Sequence, residues 1–221
     1  MRTLNGDFAP WRLTPRCIPH SIESSVLVNT VRRSESSISE ADWVSFLSGT
    51  QHQSISAGST HSLDLQASVH LTAILRWTFS TATSSKLRLK VMYSEGYEQI
   101  VEGRVYPFFR TKGDRLDASN GHIIGPFDDF TISIQLGKAT TREPFWFRTF
   151  RLLRVEMTVL EGVVELQGFT ATQVNYPLDV KAAWKEPKNA DAGKIWDVSI
   201  RTMRKCMFDG YSDCPFYEKL Q

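Results

Sequence analysis

The stretch DGYSDCPFYEKLQ, residues 209–221, places two carboxyl groups and a thiol around a helix-start signal. Asp213 suits a helix cap, Pro215 falls in the first turn and Glu218 follows soon after. On position alone Asp213 is a cap and Glu218 a solvated helical glutamate. A carboxyl set beside other carboxylates and beside rings such as Phe216 and Tyr217 has its ionised form disfavoured. A general acid working near neutral pH requires that property. Cys214 has no accompanying histidine or base to activate it, and reads as a small buried residue.

These residues need an element to hold them. In NADAGKIWDVSIRTMRKCMFDG, residues 189–210, Trp196, Ile200, Met203 and Met207 recur at helical spacing, flanked by Ile195 and Ser199. Asn189 or Asp191 can cap this helix, and Gly210 suits its stop. One helix and the opening of a second cannot bury their own apolar faces. The pair therefore reads as the first two elements of a helical domain that the sequence does not finish.

Upstream, the period changes from helical to two. Val69, Leu71, Ala73, Leu75, Trp77 and Phe79 alternate with polar residues, Ile74 being the exception. After a Ser/Thr turn, Leu87, Leu89, Val91 and Tyr93 repeat the pattern, which predicts an antiparallel hairpin. Phe130, Ile132, Ile134 and Leu136 form a third alternating run. Leu153, Val155, Met157 and Val159 form a fourth, and residues 162–174 one more. Such strands, joined by turns without helical patterns between them, predict a mainly β protein built as an antiparallel β-sandwich. Residues 25–33 suit a strand, 34–43 a loop or short helical turn, and 49–62 polar turns. Residues 94–127 read as a long loop with Tyr97, Tyr106, Phe108 and Phe109 exposed. The division that follows is 1–58, an irregular segment with a short strand; 59–177, the sandwich; and 178–221, a linker and the start of the helical region.

Composition narrows the function classes. Lys and Arg number 26 against 24 Asp and Glu, a net charge of +2, so no basic excess marks a nucleic-acid or anionic-membrane partner. No apolar run approaches the length of a membrane span. The start has no apolar core after its basic residue, so the chain as written reads as cytoplasmic; a leader upstream of Met1 would make it secreted. Cys17, Cys206 and Cys214 are too scattered for a disulfide framework, with reduced thiols expected and a Cys206–Cys214 bridge the alternative. His61, His70 and His122 lack ligand spacing, so no metal and no cofactor is expected. Phe145, Phe147 and Phe150 in PFWFRTFR read as sandwich core or domain seam rather than a sugar-stacking platform. Arg148 and Arg151 suit pairing with acids across that seam.

The segments EPFWFRTFRLLRVEM, YPLDVKAAW and IWDVSIRTMRKCMFDGYSDCPFYEKLQ, with APWRLTPRCIP near the start, together resemble glycoside hydrolase family 78, the α-L-rhamnosidases. The resemblance runs from about residue 8 to 221 and is weakest over 94–127. It implies a β-sandwich followed by the first helices of a truncated six-hairpin (α/α) barrel. It further implies that Asp213 is the substrate-binding acid, that Glu218 is the general acid of an inverting hydrolase, and that a rhamnose-containing glycoside is the substrate. Phe216 and Tyr217 stand where the family usually has a polar pair. By the same resemblance the sequence stops inside the active-site motif, the general base and the rest of the catalytic domain being missing, so the chain alone should be inactive. The alternative from the residues themselves is a standalone carbohydrate-binding or protein-interaction sandwich without catalysis.

Overall fold

The computed structural model describes residues 15–105, 110–119, 121–186, 188–189 and 191–208. Asp213, Cys214 and Glu218 lie outside the described residues, as do Tyr106, Phe108 and Phe109. The chain runs β1 (Ile22–Val26), β2 (Thr30–Glu35), α1 (Glu40–Leu47), β3 (Gln53–Ser56), β4 (Thr60–Ser80) and β5 (Ser85–Ser94). Then come β6 (Gln99–Ile100), β7 (Arg110–Thr111), β8 (Phe127–Ile134), β9 (Thr140–Arg142), β10 (Arg148–Glu161), β11 (Val163–Asn175) and α2 (Ala192–Cys206).

One antiparallel sheet holds nearly all of these strands, in the order β1-β11-β4-β10-β5-β8, with β2 and β9 also on β4 and β3 on β11. Its organiser is the 21-residue β4. The first half of β4 pairs with β2 and β10, the second half with β11, β9 and the start of β10. Between the halves the partner of β10 jumps from Leu71 to Gln66, a bulge at which the strand bends. Leu63, Leu65, Ala67, Leu71, Ala73, Leu75, Trp77 and Phe79 nevertheless all stay on the core side. The sheet thus curls on itself, and its two halves enclose one core with Leu87, Leu89, Val91, Leu153, Val155, Met157 and Val159. The sandwich architecture expected from the alternation is what the chain adopts.

The corrections are local and have physical causes. Val69 sits on the bend and is exposed rather than buried. β4 and β5 do not form a hairpin, because β10 lies between them and pairs with both. The Ser/Thr link is an arch between the two halves, and Thr81 and Ser85 both donate to the carbonyl of Val163 at 2.7 Å. Residues 49–62 contain β3 and the start of β4 rather than turns alone. The run 25–33 is broken, with β1 ending at Val26 and β2 beginning at Thr30. Ser39 caps α1, accepting from the Asp42 amide at 3.2 Å, so a full helix stands where a turn was expected. That helix buries Trp43 and Phe46, and Phe46 stacks 6.4 Å from Trp77. β1, β2, β3 and α1 accordingly pack on the same core as the later strands. Tyr97 is buried, and the segment around it is tied down by β6–β7 and a bridge between Glu98 and His122.

α2 lies against β4. Ala192 and Cys206 are buried, Trp196 and Ile200 half-buried, while Ile195, Val198 and Met203 point outward. Asp191 occupies the cap position without a side-chain cap bond and pairs with Lys194 instead. Arg204 and Lys205 in the last turn favour the negative end of the helix dipole. Among the described residues no helix is long and apolar enough to cross a membrane.

Candidate functional site

α2 ends at Cys206 and the described residues at Phe208, five positions before Asp213 in the sequence. The ring of Phe208 meets Phe147 edge-on at 6.3 Å, and Phe147 packs on Trp146 at 4.4 Å. Phe147 is buried at this seam and Phe150 is in the core, as their place beside an alternating strand implied. Phe145 departs from that expectation: its ring is fully exposed. The residues of the motif itself, Asp213 and Glu218, lie outside the described residues.

The register explains why Ile74 breaks the alternation of β4. Thr172 pairs with Ile74, Ala73 with both Gln173 and Arg148, and Val174 with Glu23. Ile74 therefore belongs to the second face of the sheet, where the residues before β10 and the segment before β1 lie over it. With Val174 it forms the floor of a cleft of about 360 Å³ walled by Phe145, Trp146 and Phe147. Thr72 and Thr149 are buried further along this face and share a 3.2 Å hydrogen bond.

A second cleft, about 320 Å³, separates β4 and β10 from α2 and is lined by cationic side chains: Arg151, Arg201 and Lys205. Burial lowers the pKa of the Lys205 ammonium from its ordinary value, and Arg204 adds to the shift. Arg151 donates to the carbonyl of Ala67 at 3.0 Å while lining this cleft. Arg148 does not reach across the seam for an acid. Its guanidinium grips Asp128 within the sandwich at 2.6 and 3.1 Å, and Tyr93 donates to the same carboxylate at 2.8 Å.

Asp64 forms a cluster that the alternation hides, because it stands at an even, outward position of β4. Register places it opposite Arg33 of β2 and Arg154 of β10. Arg154 donates two bonds at 2.8 and 3.0 Å, Arg33 approaches at 2.9 Å, and Tyr97 donates at 3.0 Å. Burial pushes the Asp64 pKa up from the ordinary carboxylate value, against the opposing pull of Arg33 and Tyr97. Burial likewise raises Tyr97, with Asp64 adding to the effect. Every strong donor here is satisfied, and the cluster clips the Tyr97 segment to the sheet rather than facing a cleft. The only sequence cue was an acid and an arginine at outward positions of two apolar strands. Among the described residues no group of three metal-ligating side chains comes together.

No protein-family model and no curated protein sequence matches the chain. Solved structures do. A glycoside hydrolase family 78 rhamnosidase of Bacillus sp. GL1 superimposes with a TM-score of 0.51 at 17% identity, over 79% of this chain and 17% of that one. A rhamnosidase from Klebsiella oxytoca, solved with rhamnose bound, gives a TM-score of 0.51 at 13% identity, over 91% of this chain and 37% of that one. The likeness is one of fold, and the chain spans well under half the length of either neighbour.

Proposed function

We propose that the chain is the front part of an α-L-rhamnosidase-like inverting glycoside hydrolase that removes terminal rhamnose from glycosides. Its ancillary sandwich runs from β1 to β11, taking in α1 and the strands before residue 59, and residues 178–221 are the entry to its helical catalytic region. The observation that carries this reading is an order: a sandwich whose fold is shared with parts of two rhamnosidases, then α2, then Asp213-Cys214-Pro215 and Glu218. In this reading Glu218 gives its proton to the glycosidic oxygen as the bond to the leaving group breaks. Asp213 holds sugar hydroxyls. Inversion also needs a carboxylate roughly 6.5–9.5 Å from the acid to activate water on the opposite face of the ring. Phe208, the residue just ahead of this motif in sequence, meets Phe147 of the sandwich edge-on, which supports a link between the two parts.

The test is hydrolysis of 4-nitrophenyl α-L-rhamnopyranoside by the product of the full reading frame that contains this sequence, beside its Glu218→Gln variant. The expected result is turnover that falls by about 10²–10⁴ in the variant, the range for losing a general acid. An unchanged variant removes Glu218 from the role. A product that binds the sugar without cleaving it favours the alternative, a carbohydrate-binding or protein-interaction sandwich without catalysis.

A further inference from the structure

The cleft floored by Ile74 and Val174 belongs to no step of the proposed reaction. Its side wall is Trp146, 41% exposed yet braced by Phe147, together with the fully exposed ring of Phe145. Its other side comes from the edge of the sheet, where His20, Ser21 and Glu23 line the same space. At about 360 Å³ it falls at the small end of ligand pockets, room for one ring rather than a peptide or a nucleotide. Its walls are divided by chemistry, aromatic on one side and hydrogen-bonding on the other.

That division selects the ligand class. An exposed indole presents a negative face, which attracts the weakly positive C–H bonds of a saturated ring. The opposite side supplies a carboxylate that can only accept when ionised, a hydroxyl that does both, and an imidazole that does both. Such a rim suits a ring bearing several hydroxyls. Arg16, the guanidinium among the described lining residues, is turned away from anion capture, since it donates to the carbonyls of Ile18 and Pro19. A carboxylate in the rim further disfavours an anionic ligand. We infer that this cleft is a non-catalytic binding site for a single neutral pyranose, stacked on Trp146 with its hydroxyls bonded to Ser21, Glu23 and His20. The site stands whether or not the chain is part of a hydrolase, because it uses only sandwich residues and the segment leading into β1.

The experiment is saturation-transfer NMR and calorimetry on the 221-residue chain with methyl α-L-rhamnopyranoside, methyl β-D-glucopyranoside and methyl β-D-galactopyranoside. The expected result is saturable binding of at least one probe near the millimolar range, typical of one exposed ring contact. Trp146→Ala should weaken it about tenfold or more and Glu23→Gln by a smaller factor. Leu136→Ser, an exposed change just after β8 at the opposite edge of the sheet, should leave it unaltered. Circular dichroism checks that each variant folds, and Glu23→Gln with Ser21→Ala carries the test if Trp146→Ala does not. No saturation by any probe below about 50 mM, some fifty times the millimolar benchmark, overturns the inference. So does binding that survives both Trp146→Ala and Glu23→Gln undiminished.

Discussion

Removing the Asp64 carboxylate tests whether the buried cluster across β2, β4 and β10 holds the fold together. Asp64→Ala leaves two guanidinium groups and the Tyr97 hydroxyl without their shared acceptor. Removing one partner of a buried pair costs about 3–5 kcal/mol. The Arg33 and Arg154 side chains keep 30% and 20% of their exposure and can turn partly to water, so the lower end applies, about 3 kcal/mol. Tyr97→Phe removes a single bond to a charged acceptor, about 1.5 kcal/mol. In the Asp64→Ala background that second change should cost almost nothing, giving a coupling of about 1.5 kcal/mol. Burial holds the Asp64 pKa above its ordinary value, so ionising it inside the protein is itself costly. Replacing Asp64 and Arg154 together by leucine and methionine should therefore destabilise less than replacing Asp64 alone. The assay is urea unfolding followed by circular dichroism at pH 7, where 3 kcal/mol moves the midpoint by about 1 M. An Asp64→Ala midpoint within the error of the parent, or a Tyr97→Phe cost equal in both backgrounds, would refute the reasoning. Should Asp64→Ala fail to fold, Tyr97→Phe and Asp64→Asn still read the coupling.

Two further outcomes follow from single sites. His61 is buried, with Nδ1 at 2.7 Å from the Ser36 hydroxyl and Nε2 without a hydrogen-bond partner among the described residues. Ser36 already accepts from the Trp43 indole and the Ile38 amide, so its proton goes to Nδ1 and the ring is neutral with hydrogen on Nε2. Burial lowers the pKa of His61 below its ordinary 6.5, so the unfolded chain takes up the proton first as pH falls. Stability contributed by the neutral ring is present above pH 6.5 and declines as pH drops below it; urea midpoints from pH 7.5 to 5 should show this, and His61→Phe should flatten the slope. Gly162, in the β10–β11 turn, has φ +72°, and a Cβ there would lie 2.8 Å from the Ser84 carbonyl oxygen. Gly137 has φ +71° with nothing within 4 Å. Gly137→Ala should cost about 1–2 kcal/mol from backbone strain alone, and Gly162→Ala about 1–3 kcal/mol more from overpacking; equal thermal shifts would contradict the difference.

How much of this was readable along the chain depends on the range of the interaction. Alternation at Leu71–Phe79, Leu87–Tyr93 and Leu153–Val159 is local information, since successive side chains of a strand point to opposite faces whatever lies beside them. It identified the core side chains and the β class. It says nothing about which strands are neighbours. β10 pairs with residues about 50–100 positions earlier in the chain, and its insertion between β4 and β5 removed the hairpin that the local turn suggested. Tyr97 was taken for an exposed loop ring because its acceptor, Asp64, is 33 residues away on a strand face that alternation marks as outward.

The candidate sites divide along the same line. Asp213 and Glu218 are spaced along one short segment, where position alone reads them as a helix cap and a solvated glutamate; the resemblance of the whole string to the rhamnosidases is what suggested acid chemistry. PFWFRTFR displayed its aromatics equally plainly, but a ring in a strand-leading segment is core or surface according to what covers it. By its composition and periodicity the sequence determined a β-rich core, a following helix and an acid-bearing motif. Only the tertiary structure decided that Phe150 fills the core, Phe147 the seam and Phe145 open solvent, and that Ile74, Trp146 and Glu23 share one cleft. Burial is set by long-range packing, and the neighbourhood of those residues is a property of the paired strands β1, β11, β4 and β10 rather than of any one of them.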